Sequence, residues 1–203
     1  MAAVPPGSRP SIPVPHHELR FDAGRLCLDL VATAHPDERL TSPDRLRAWL
    51  AGAGLVPEGA ALPSCVPAWL PAFRELRGHV GRLVRGELAG RPTPGSLERI
   101  NLLARAAPPA PCAVRSGDGS LVRSLQTEPG CAALLAAVAR DAVDLLTDPA
   151  ARGALRQCAG DNCPLIYLDT SRGRRRRWCS SEVCGNRERV ARHRRRAAAL
   201  SRA

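Results

Sequence analysis

CAGDNCPLIYLDTSRGRRRRWCSSEVC, residues 158–184, is the stretch on which the fold turns. It holds four cysteines in two pairs, Cys158/Cys163 and Cys179/Cys184, spaced C-x4-C-x15-C-x4-C. Thiolates are soft ligands, and four of them in two close pairs suit Zn²⁺ in a closed tetrahedral site. Each pair can wrap one edge of the metal, and the longer gap has the length of a hairpin. Leu165–Leu168 predicts one short strand, Thr170-Ser171-Arg172-Gly173 the turn, and Arg174–Trp178 the return, with alternate arginines on opposite faces. Behind Cys184, Gly185 eases the backbone as it turns beneath the metal, Asn186 is a candidate N-cap, and Glu188 suits the first turn of a helix. Knuckle, hairpin, knuckle and helix make a treble-clef-like finger. A module this small buries little core, so the metal supplies most of its stability, on the order of 10–16 kcal/mol. Four protein ligands leave no open position for water, so the zinc is expected to be structural and the protein not an enzyme. An iron–sulfur cluster is the rival occupant of the same thiolates.

The finger also carries almost all of the charge. Residues 151–203 hold 14 Arg against 4 Asp+Glu, whereas residues 1–150 hold 16 Arg against 15 Asp+Glu. The chain has no Lys and is rich in Ala, Gly and Pro, so the preference for Arg over Lys reflects a compositional bias. The bias acts on the whole chain, however, and the positional asymmetry does not follow from it. A polarised basic end points to a polyanionic partner, most often nucleic acid. The candidate contacts are Arg172, Arg174, Arg175, Arg176 and Arg177 around the hairpin, and Arg187, Arg189, Arg192, Arg195 and Arg196 on the helix. Arg189, Arg192 and Arg196 share a helix face, and Val190 with Ala197 forms a narrow stripe suited to packing back on the hairpin.

Upstream, residues 1–20 read as a flexible Pro- and Ser-rich leader. MAAVPPGSRPSIPVPHHELR has neither a basic n-region nor an apolar h-region, so no secretory signal and a cytoplasmic location are expected. No apolar run approaches the length of a membrane span. Residues 21–150 read as a mainly helical domain with a minor antiparallel sheet, the whole being α+β. FDAGRLCLDLVAT, 21–33, carries closely spaced apolar residues and fits a strand that continues as a helix, though periodicity does not decide it. Ser42-Pro43-Asp44 is a helix start, with Ser42 as N-cap and Pro43 at the first position. A long amphipathic stripe runs through Trp69, Leu70, Phe73, Leu76, Val80, Leu83, Val84 and Leu88. A third helix starts near Pro94 with Leu97, Ile100 and Leu103, and a hairpin turns at Gly117-Asp118-Gly119. A last helix carries Leu134, Leu135, Val138, Ala142, Leu145 and Leu146. His79 reads as a helix-surface residue, Asp141 and Asp144 as a solvated face, and Cys27, Cys65, Cys112 and Cys131 as small buried hydrophobes. No phosphate loop, HExxH or GxSxG occurs.

The segment from Cys158 to Arg196 resembles the CGNR zinc-finger family of bacterial proteins: Cys184-Gly185-Asn186-Arg187 follows an Arg-Arg-Trp-Cys-Ser run. The upstream part resembles the Ala- and Leu-rich ABATE domain of stress-induced transcription regulators. There an Asn normally precedes the Thr of the FDAGRLCLDLVAT pattern, and Ala32 stands here. The resemblance implies zinc binding and DNA binding. The expected function is a zinc-binding transcriptional regulator whose finger docks on DNA while residues 21–150 sense a small-molecule effector or a partner protein. The alternative is a zinc-ribbon module binding RNA or an acidic protein.

Overall fold

The computed structural model describes residues 19–60 and 62–200, with side chains described through Arg195. Helices α1 (Leu26–Ala32), α2 (Pro43–Gly52), α3 (Trp69–Leu88), α4 (Pro94–Leu103) and α5 (Cys131–Thr147) build the upstream region. The hairpin β1 (Pro111–Arg115) and β2 (Leu121–Leu125) interrupts them. The short α6 (Pro149–Gly153) leads into β3 (Leu155–Gln157), β4 (Ile166–Leu168), a π turn at Ser181–Gly185 and α7 (Asn186–Leu200). The architecture is α+β, mainly helical with two small antiparallel sheets.

Local chemistry explains the helix starts. The Ser42 hydroxyl accepts the Arg45 N–H at 3.3 Å, with Pro43 at the first helical position, which satisfies a donor that would otherwise lack a partner. The stretch 21–33 is a loop followed by α1, not a strand. The N-terminus of α1 is capped from outside its own sequence: Asp141 of α5 accepts the Cys27 N–H at 2.8 Å and pairs with Arg25 at 2.9 Å. Asp141 is therefore a cap rather than part of a solvated face.

The core gathers Leu28 and Leu30 of α1, Trp49 and Leu50 of α2, Phe73, Leu76, Val80 and Val84 of α3, and Leu134, Val138 and Leu145 of α5. Trp49 and Phe73 meet edge to face at 6.2 Å, the geometry aromatic quadrupoles favour. Leu88 lies outside the stripe at 42% exposed, because α3 outruns its cover. Of the apolar residues expected along α4, Ile100 is buried, Leu103 half-buried and Leu97 exposed. Of the scattered cysteines, Cys27 and Cys65 are buried and Cys112 and Cys131 only half-buried. Leu155, Ile166, Tyr167 and Leu168 belong to the same buried cluster as the helices.

Candidate metal centre

β4 pairs with β3, through Leu155↔Leu168, Arg156↔Tyr167 and Gln157↔Ile166, and not with 174–178. The first cysteine pair thus sits at the tip of the β3–β4 hairpin, closed by the Cys158 N–H donating to the Leu165 carbonyl at 2.9 Å. The expected return strand is irregular, and Arg174 takes φ +48°. Four adjacent arginines gain little from a paired ladder, whereas Asp169 offers the loop a substitute. Its Oδ1 accepts from Ser171 N and Oγ at 3.0 and 2.6 Å, and its Oδ2 from the Arg176 N–H at 3.0 Å. The Ser171 hydroxyl holds this carboxyl below the usual carboxylate range.

The second pair is carried by the π turn. Its N-cap is Ser180, whose hydroxyl accepts from the Glu182 and Val183 N–H groups at 3.2 Å each; Asn186 is already helical. An extra residue in the turn lets Cys184 face inward while α7 leaves in another direction. Gly185 has no positive φ; a Cβ there would lie 3.4 Å from the Ser180 carbonyl oxygen. The closer fit is at Gly160, where a Cβ would meet Cys184 Cβ at 3.3 Å and the Cys184 and Cys158 sulfurs at 3.4 and 3.5 Å. A side chain there would pack directly against the ligand sulfurs, and Cys184 Cβ would have to give by a few tenths of an ångström.

The four Sγ atoms all lie within 4.8 Å of one another, with Cys163–Cys179 at 3.8 Å and Cys179–Cys184 at 3.6 Å. A tetrahedral ion with Zn–S bonds of about 2.3 Å requires sulfurs roughly 3.8 Å apart, so the cage fits zinc. As free thiols Cys179 and Cys184 resist ionising. The Cys163 sulfur and burial hold Cys179 well above its ordinary range, and burial together with Cys179 pushes Cys184 up to about 12. A bound cation offsets that crowding. Backbone donors already point at the sulfurs: Gly160 N–H and Cys179 N–H reach Cys158 Sγ at 3.4 and 3.3 Å. Such outer contacts orient metal ligands and delocalise their charge.

The arginines divide into two groups. Arg176 is spent on the fold: its guanidinium lies 4.5 Å from the Tyr167 ring centroid and donates to the carbonyls of Trp178, Cys179 and Asp22. Arg177 rests over Trp178 at 5.3 Å. Arg189 reaches the Ser181 carbonyl at 3.1 Å and Arg195 pairs with Glu188 at 2.8 Å. Arg172, Arg174, Arg175, Arg187, Arg192 and Arg194 are exposed, and no side-chain partner holds them among the described residues. The side chains of Arg196 and Ala197 lie outside the described residues. Val190 is 43% exposed, so α7 stands on its π turn instead of packing back. Of the expected leader, residues 1–18 lie outside the described residues, but Arg20 is placed, against Cys179. Nothing in the sequence pattern pointed to Arg20, to the Ser180 cap or to the Gly160 approach.

Two family models match the chain. One, ABATE, carries the description "Putative stress-induced transcription regulator" and matches residues 24–149; the other is the CGNR zinc finger, matching residues 154–197. None of the curated proteins compared with the chain is similar to it. With the sulfur cage, the second match gives one structural zinc ion.

Proposed function

The chain belongs to the ABATE family and carries a CGNR zinc finger over residues 154–197, and from that premise we propose that it is a zinc-dependent DNA-binding regulator. The observation carrying this reading is α7, a helix with arginine on opposite faces and little packed against it. At 100° per residue Arg187 and Arg194 fall on one side, Arg189 and Arg192 on the other. A helix with side chains is about 10–12 Å across, and the B-DNA major groove is about 12 Å wide with phosphates along both walls. Arginines on two opposite faces reach both walls at once; a flat acidic surface would use only one face. Arg172, Arg174 and Arg175 add phosphate contacts from the loop, which position the finger without reading sequence. The helical domain supplies the regulatory input, an effector or a partner protein. The closed four-thiolate site is non-catalytic. Among the described residues no helix is long and apolar enough to cross a membrane.

The test is fluorescence anisotropy of the zinc-loaded full chain with duplex DNA, single-stranded DNA, duplex RNA and an acidic peptide across a salt series. Duplex DNA should bind most tightly, with log K falling against log salt at about −0.9 per phosphate neutralised and roughly four to six contacts. A flat salt dependence, or tighter binding to RNA or the peptide, would overturn this reading.

A further inference from the structure

Residues 19–23 lie ahead of both family matches, yet they form a strap between the helical core and the zinc cage. On the helical side, Ala23 N–H donates to Asp29 Oδ1 at 3.0 Å, and the Phe21 ring lies where a side chain on Gly52 would be. Toward the finger, the Ala23 carbonyl accepts the Leu168 N–H of β4 at 2.8 Å. The next residue, Gly24, turns at φ +87°, and a Cβ there would press within 3.1 Å of Leu168 Cβ. Arg20 completes the strap. Its Nη1 lies 3.6 Å from Cys179 Sγ and its Nη2 3.3 Å from the Cys179 carbonyl oxygen. Asp22 fixes that fork at 3.1 and 2.7 Å, and the Asp22 carbonyl takes Arg176 Nη2 at 3.3 Å.

We propose that Arg20 is a positioning residue of the zinc site, a charged outer support for the Cys179 thiolate that makes zinc retention depend on a segment outside the finger. Four thiolates around Zn²⁺ carry a net charge of about −2, and burial denies them water. Among the described residues Arg20 is the one charged donor to a ligand sulfur; the others are backbone N–H groups. Charge-assisted donation exceeds neutral donation in strength, and outer contacts of this kind are typically worth about 10–100-fold in metal affinity. Because the strap is pinned to α1 through Asp29 and to α2 through Phe21, a displacement of those helices is felt at Cys179. The inference rests on the cage alone and is independent of what the arginine surface binds.

The experiment is zinc competition against a chromophoric chelator, together with the sulfur-to-cobalt charge-transfer band of Co²⁺-substituted protein. It uses the full chain as wild type, Arg20→Ala, Arg20→Lys and the distant control Arg105→Ala. Arg20→Ala should lose about 10–100-fold in zinc affinity and shift the cobalt band. Arg20→Lys, which keeps the charge, should recover part of both, and Arg105→Ala should match wild type. Wild-type zinc affinity with an unmoved band in Arg20→Ala would overturn the assignment. So would equal losses in Ala and Lys with no band shift, the pattern of a residue that only packs.

Discussion

Arginine does different work in the two halves of this molecule. In the helical region much of it is spent: Arg77 pairs with Glu38, Arg99 with Glu75 at 2.9 Å and Arg25 with Asp141, while Arg140 donates to the Ala104 and Ala106 carbonyls. In the finger Arg172, Arg174, Arg175, Arg187, Arg192 and Arg194 stand exposed, with no acidic partner among the described residues. The residue type is the same and the compositional bias is the same, so the difference lies in the supply of carboxylates. Where Asp and Glu keep pace, arginine is mortar. Where they do not, like charges repel until an outside anion arrives.

The largest effect should come from the metal. Cys184→Ser should abolish tight zinc binding and with it most of the order of β3, β4 and α7, a site whose zinc binding is worth on the order of 10–16 kcal/mol. Hydrogen exchange should show protection lost over residues 155–195 and retained in α3 and α5. Loss of protection in α3 as well would mean that the shared buried cluster is one cooperative unit.

A smaller effect concerns a carboxylate kept inside the helical region. Burial pushes Asp29 up to about 7, with Asp22 and Asp141 adding repulsion. Its folded pKa is raised, so between about pH 4 and 7 the folded state holds a proton that the unfolded chain lacks. That stabilisation is present at low pH and lost as pH rises through 7. Asp29→Asn can still accept the Ala23 N–H but does not titrate. At saturating zinc, denaturant titrations should show the variant gaining on wild type by on the order of 2–3 kcal/mol between pH 5 and pH 8. Parallel curves would show that Asp29 ionises normally.

The comparison itself is sharpened by a matched pair. Arg77→Met removes charge-assisted hydrogen bonds to Glu38 and one to Thr33 Oγ1 at 3.0 Å, and should cost about 1.5–3 kcal/mol of stability with DNA affinity unchanged. The double variant Arg187→Ala/Arg192→Ala should leave the melting temperature nearly unmoved and reduce the salt slope by about two units. If the two variants changed places, the distinction between spent and unspent arginine would fail.

Four clustered cysteines were legible without coordinates because metal ligation is a local pattern. So were the Ser42 cap, the long α3 stripe and the Gly117–Gly119 turn, each fixed by neighbours in sequence. The partner of β4 was not legible. Three-residue strands carry too little periodicity to choose between Leu155–Gln157 and the arginine run, and Asp169 decided it through hydrogen bonds that no spacing rule encodes. Arg20 read as leader because its partner Cys179 lies far away along the chain. Asp141 read as surface for the same reason, its partner being the start of α1.

The π turn at Ser181–Gly185 has a mechanical consequence. It is the chief footing of α7, whose 15 residues extend roughly 22 Å at about 1.5 Å each. A tilt of about 10° at that footing sweeps the far end through roughly 4 Å over such a length, more than the rise of about 3.4 Å between successive base pairs. The zinc cage is therefore the fulcrum of a lever, and a small rotation at its sulfurs is amplified along α7 into a displacement of several ångströms at the far end of the helix.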